Sequence, residues 1–232
     1  DGVLYASAGQ LLNLNWKWED IAKHLKINVR ESMSALDIKN NLLGVCDQMY
    51  LFEPGDDTTV CVLKAVKPKK VKLFTGPPSH KEDDAKVVHE LMTNADIRIV
   101  SGGTTSQIVA RELGVEVKSS TEIYDKEVPP IAYIHGINLV TEGVLTLSKT
   151  IDRLKSLSKS LDSNIFKAKD GASQMAKLLY SASHIKLLVG RSLNIANAEI
   201  SFQRDLELRL HVIGELEKIL VKLGKIVTIE YY

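Results

Sequence analysis

Two sets of residues in this sequence have types and spacing that could do chemistry. The first lies in Asp96–Gly114, DIRIVSGGTTSQIVARELG. A β-rich run (Ile97, Ile99, Val100) stops at Gly102-Gly103, and a helix opens on Thr104-Thr105. Strand, double glycine and helix start bring unpaired backbone N–H groups together with the positive end of a helix dipole, which suits an anion. Without a Cβ, glycine lets a phosphate or carboxylate approach the backbone. The plain alternative is a strand-to-helix turn with Thr104 or Thr105 as N-cap. Neither GxGxxG nor a Walker-type lysine is present, so the run carries no dinucleotide or P-loop fingerprint. The second set is acidic. Asp1-Gly2 and Asp56-Asp57 are carboxylates in turns, where hard divalent cations find oxygen ligands. Two Mg²⁺ or Mn²⁺ ions held this way can activate a water for attack on a phosphate ester, although acidic turn residues are equally at home in solvent.

The elements that must position these residues follow from periodicity. Trp18, Ile21, Ala22 and Leu25 recur at helical spacing after Asn15, a candidate N-cap, and Ser34–Tyr50 predicts a second helix with Ile38, Leu42, Val45 and Met49 inward. Pro54-Gly55 makes a turn, and Thr58–Val66 reads as a buried strand. Composition shifts at Lys67–Lys70, which sets a domain boundary between residues 1–66 and 71–232. Strands and helices then alternate. Strands are expected at Val71–Gly76, Ile97–Ser101, Ile131–Ile134, Ile185–Val189 and Ile226–Tyr232, with a short one at best in Val115–Pro130. Helices are expected at Lys81–Asn94, Thr104–Leu113, Thr141–Ser158, Ala168–Ser181 and Phe202–Leu223, the last stopped by Gly224. This alternation predicts a mostly parallel sheet covered on both faces. Ligands of such sheets bind outside the carboxyl ends of the strands. Those ends gather Gly76, Gly102, Gly103, Thr104 and Thr105, followed by His135-Gly136, Thr141 opening a helix, and Gly190-Arg191. Arg191 could clamp an oxyanion or pair with a neighbouring helix. Spacing pairs His135 with no nucleophile and gives His80 and His89 no zinc pattern, so they read as structural or surface residues.

The chain has 232 residues, with 30 Lys+Arg against 29 Asp+Glu and a net charge of +1. No global field argues for nucleic acid or an anionic membrane, and no apolar run is long enough to span a bilayer. Its two cysteines, Cys46 and Cys61, lie in apolar runs without metal-knuckle spacing and are expected to be buried free thiols of a reducing cytoplasm. The opening DGVLYASAG has no methionine and reads like the middle of a domain, so a fragment is expected.

DGVLYASAG resembles the strand-end Ser-Asp-Gly-Val element of the metal-dependent (type 2C) protein serine/threonine phosphatases. GDDTTVCVL resembles their later Asp-Asp/Asn-x-Thr-Val element, which leads into the last strand of the catalytic sandwich. LLNLNWKWEDIAKHL, GPPSHKEDDAKVV, GGTTSQIVARELG, GINLVTEGVLTL and LGKIVTIEYY are similar to one bacterial branch, the sporulation stage II protein E (SpoIIE)-like phosphatases with an appended α/β region. The resemblance implies that Asp1 and Asp56 are metal-ligating aspartates. It makes Asp57 the following Asp/Asn that supports them, and Gly2 the residue that lets the backbone pass close to the metals. It implies a phosphoprotein substrate and Mn²⁺ or Mg²⁺ as cofactor. The family's earlier metal elements have no counterpart here. The expected fold is therefore the closing part of a type 2C-like α-β sandwich over residues 1–66, followed by an accessory α/β domain. Such a chain should by itself bind metal weakly and hydrolyse little. Alternatives for the α/β region are a non-catalytic module for a small anionic ligand or a protein partner, or a homodimerisation unit.

Overall fold

A computed structural model describes residues 2–6, 16–53, 56–159, 167–192 and 201–232. The chain divides into two compact units, residues 1–67 and 68–232, so the division falls within the lysine run.

In the first unit, helix α1 spans Trp18–Asn28 and helix α2 spans Ala35–Met49. Each begins where an acidic N3 residue reaches back to the cap. The Lys17 amide donates to Asp20 (3.0 Å), while Asp37 and Ser34 exchange hydrogen bonds of 3.0 and 3.1 Å. The small core is Ala6, Cys46 and Tyr50, with Val3 and Met49 packed against it, and the Tyr50 hydroxyl donates to the Gly2 carbonyl at 2.9 Å. The expected inward stripes are only partly realised. Ile21, Leu42 and Cys46 are buried, whereas Trp18 is 68% exposed. The Asn15 cap lies outside the described residues, and the cap position is Lys17.

Two expectations for this unit are corrected. Thr58–Val66 forms no strand, and Leu63 is 94% exposed. β propensity describes a residue that fits a pleated, half-buried surface, and among the described residues no strand lies beside this run to complete a ladder. Lys64 instead ties the run to the α1–α2 connection through the Met33 carbonyl at 2.6 Å. Cys61 is consequently exposed. Only Cys46 is buried, and burial together with the neighbouring Asp47 pushes its thiol pKa up.

The second unit is an α/β fold around a seven-stranded sheet: β1 Lys70–Thr75, β2 Ile97–Ser101, β3 Lys118–Ser119, β4 Ala132–Tyr133, β5 Leu139–Thr141, β6 His184–Val189 and β7 Ile226–Tyr231. The spatial order is β3-β4-β5-β2-β1-β6-β7. β5, β2, β1, β6 and β7 are parallel, while β3 and β4 join antiparallel at one edge. The helices are α3 Asp84–Met92, entered through a 3-10 turn at Lys81–Asp83, α4 Gly103–Leu113, α5 Val144–Lys159, α6 Gly171–Ser181 and α7 Ser201–Lys222.

Both faces of the sheet are covered, as the alternation requires. Val71, Leu73, Ile99, Ile185 and Leu187 pack with residues of α5, α6 and α7. Phe74, Val100, Val140 and Leu188 pack with residues of α3 and α4. Side chains alternate across a strand, so Leu73-Phe74 of β1 and Leu187-Leu188 of β6 feed both layers. One helix start differs from expectation by three residues. Thr141 closes strand β5 rather than opening a helix, and α5 begins at Val144. Among the described residues no helix is long and apolar enough to cross a membrane.

Candidate functional site

From β1 the chain moves to β2 and β5 on one side, then crosses back to β6 on the other. The carboxyl ends of β1 and β6 are therefore the switch point where a crevice is expected. Here backbone fills it. Gly190 N–H donates to Thr75 O and Ser192 N–H to Pro77 O, both at 3.0 Å. A Cβ on Gly190 would stand 2.1 Å from the Pro77 carbonyl oxygen, closer than any side chain tolerates.

The open space lies beside this zip, over the ends of β1, β2 and β5. It is a cavity of about 270 Å³ lined by Gly76, Gly102, Gly103, Thr104, Glu142 and Arg209, among others. Gly102 reaches φ +119° as it leaves β2, a conformation other residues rarely adopt. Its N–H donates to the Thr141 carbonyl at 2.8 Å, and its own carbonyl accepts Ser106 N–H at 2.9 Å as α4 begins. Neither threonine caps this helix. Gly102 is the N-cap residue, with no side-chain cap bond. Thr105, almost fully buried, instead accepts the Gly76 N–H at 3.0 Å and so ties the end of β1 to α4. Gly103 and Thr104 are exposed at the first turn, where the helix dipole is positive.

The charge on the opposite wall is Arg209 of α7, whose Nη1 donates to Gly190 O at 3.3 Å. Gly76 makes room for it, since a Cβ there would stand 2.5 Å from that nitrogen. Sequence reasoning missed Arg209. The available signal was its register: Arg209 continues the stripe of Ile213, Leu216 and Leu220, all buried, one turn toward the helix start. A charge on an apolar stripe needs polar partners, and the Gly190 carbonyl is one of them.

Of the expected ligand residues, the structure brings Gly76, Gly102, Gly103, Thr104 and Thr105 to this one cavity. Thr141 is buried and lines a neighbouring one. Arg191 does not join them. Its amide donates to Tyr232 O at 2.9 Å, and its guanidinium lies 5.3 Å from the Tyr231 ring centre. His80, His89 and His135 are exposed and line none of this space.

In the first unit, Asp1 lies outside the described residues. Asp56 and Asp57 are exposed in their turn, with Asp56 Oδ1 accepting the Asp57 N–H at 2.9 Å. A Cβ on Gly2 would meet Asp57 O at 2.5 Å and Thr58 Oγ1 at 2.4 Å, so only glycine permits this approach of the two segments. Two adjacent carboxylates are suitable oxygen donors for Mn²⁺ or Mg²⁺. Among the described residues no three His, Cys, Asp or Glu side chains gather that could hold a metal ion.

Compared with protein-family models, curated proteins and solved structures, the chain finds no match in any of the three.

Proposed function

We propose that the α/β unit is a binding module for a small anionic ligand, held over the ends of β1, β2 and β5. The observation that carries this reading is the convergence of the α4 N-terminus and the Arg209 guanidinium on one cavity that glycines keep open. Both contribute positive potential to the cavity, opposed there by the Glu142 carboxylate beside Gly103.

Gly103 supplies the test. A Cβ there would come no closer than 3.8 Å to any neighbour, and its φ is not in the positive range, so the fold does not require glycine. Gly103→Leu should therefore fold with an unchanged melting temperature while its side chain fills the mouth of the cavity. Binding of inorganic phosphate or pyrophosphate, followed by titration calorimetry, should fall at least tenfold. Undiminished binding would remove the site from this cavity.

A second reading, also ours, is that residues 1–66 are the closing part of a metal-dependent serine/threonine phosphatase. It rests on the sequence resemblance, and the close approach of Gly2 to Asp57-Thr58 favours it, because that approach joins the two segments the resemblance assigns to the metals. In this reading Asp1 and Asp56 would hold Mn²⁺ or Mg²⁺, and the metals would supply an activated water for attack on phosphoserine or phosphothreonine. Asp56→Asn in the product of the complete gene should lower Mn²⁺-dependent phosphoester hydrolysis by about a hundredfold or more. An unaffected rate would end this assignment.

A further inference from the structure

The two edges of the sheet are built differently. One is β3, two residues long and carrying Lys118, a short charged edge of the kind that resists further pairing. The other is β7, which pairs with β6 along its whole length and holds no Lys, Pro or bulge. Its one charge, Glu230, is taken up by Lys186 at 2.6 Å and by the Tyr232 hydroxyl at 2.8 Å. Ile226 and Tyr232 donate their N–H groups to Ser183 O and Val189 O, at 3.0 and 2.9 Å. Successive residues of a strand bond to alternate sides, so Val227, Ile229 and Tyr231 aim N–H and C=O away from β6. No strand among the described residues takes them up.

Helix α7 has a matching flank. Glu215 reaches Lys155 of α5 at 3.5 Å, which marks the side of α7 turned to that neighbour. At about 3.6 residues per turn, Leu210, Gly214, Glu217 and Val221 fall on the opposite flank. Val221 is exposed there, and Leu210, Val227 and Ile229 are only partly covered, so the core of this layer is open along the β7 edge. The exposed charges of α7 are also graded, with Glu207 toward its start and Lys218 and Lys222 toward its end.

We propose that the α/β unit forms a homodimer along this edge, with β7 antiparallel to β7 of a second copy and α7 alongside α7. The edge is complementary to itself in three ways. A two-fold axis through Ile229 pairs every outward residue, Val227 with Tyr231 and Ile229 with its own copy, each pair exchanging both hydrogen bonds. These are β-branched residues set against aromatic or β-branched ones, the combinations that stabilise a sheet. Ile229 lies roughly 10 Å along β7 from Ile226, the height of about seven helical residues back from Lys222, so the same axis passes beside Gly214-Glu215. Antiparallel about that point, Glu207 meets Lys218 and Lys222 of the second copy, whereas parallel helices would set Glu207 and Glu217 against their own copies. The contact is isologous and closes at two chains. It is independent of the anion-binding reading and needs no ligand.

The test is sedimentation equilibrium of the full 232-residue chain, without ligand, across the micromolar range. The mass should rise to twice 25.7 kDa. Ile229→Pro removes an outward N–H that no β6 bond uses, and should leave a folded monomer by circular dichroism. Glu207→Lys, at an exposed position, should weaken the dimer about tenfold, because the two-fold reverses two charge pairs at once. Adding Lys222→Glu to Glu207→Lys should recover most of that loss, and this pair of variants decides the matter where Ile229→Pro fails to fold. A chain that stays monomeric across the range would overturn the proposal. So would a dimer that Ile229→Pro and Glu207→Lys leave unchanged, which would place self-association elsewhere on the chain.

Discussion

Gly190→Ala is expected to destabilise the α/β unit by about 3 kcal/mol or more, at the severe end of overpacking substitutions. The added methyl would lie 2.1 Å from Pro77 O, 2.2 Å from Gly76 O and 2.3 Å from Pro77 C. All three are backbone atoms, so no rotamer change relieves the clash. Separating the two loops would stretch the hydrogen bonds from Gly190 N to Thr75 O and from Ser192 N to Pro77 O. It would also move the Gly190 carbonyl on which Arg209 rests. Gly214→Ala in α7 is the control. Nothing lies within 4 Å of a Cβ there, so that change should be neutral or stabilise by up to about 1 kcal/mol through helix propensity. Urea unfolding followed by circular dichroism separates the two. Equal midpoints for both variants would show that the loops are not interlocked.

The second large effect is expected at Asp170, whose side chain is 4% exposed. Its carboxylate caps α6 by accepting the Ser173 N–H at 2.9 Å and pairs with Arg153 at 3.0 Å. Asp170→Ala removes the cap and one of the two carboxylates on Arg153, the other being Asp125 at 3.0 Å. A loss of about 2–4 kcal/mol follows. Asp170→Asn, which keeps an acceptor for the cap, should lose less. Burial alone would raise the Asp170 pKa, but hydrogen bonds from Ser173 and the Arg153 charge outweigh it and hold the carboxyl below its ordinary value. The folded protein thus binds this proton less readily than the unfolded chain. Its contribution is complete above the ordinary aspartate value and is lost as pH falls through the depressed one. Wild type should lose stability below about pH 4. The difference between wild type and Asp170→Ala should shrink over the same window, and a constant difference would refute the linkage.

The alternation of elements after Lys70 was legible because each strand and helix buries one side against the same sheet, which imposes a period on its residues. Ile97–Ser101 and Ile185–Val189 show it well: both are mostly apolar segments of strand length, interrupted by Arg98 and Lys186, and both are interior strands. Legibility failed where a neighbour decides. Thr58–Val66 has the composition of a strand and no ladder partner among the described residues. Leu139–Thr141, three residues long, is too short to show a period, yet its place beside β2 makes it a strand. The same holds at the site. Gly102-Gly103 announces itself locally, because a positive φ and a helix start are written in adjacent residues. The basic partner is not local. Arg191 stands next to a strand-end glycine but turns to Tyr231, while Arg209 arrives from a helix that crosses the far side of the sheet. Only the three-dimensional order of the strands brings it to Gly76.

That order also bears on how the chain is made. Strand β1 pairs with β2 on one side and with β6 on the other, and the β6 contact closes across 114 residues, as from Lys69 to Ser183. On the ribosome β1, β2 and β5 can assemble early. The apolar edge of β1 then waits for most of the unit to be synthesised before its second neighbour exists. Long-range parallel pairing of this kind is slow, and an unpaired central strand is prone to wrong partners. The α/β unit should therefore be more vulnerable to truncation before residue 184 than to loss of β7, whose absence leaves the central pairings intact.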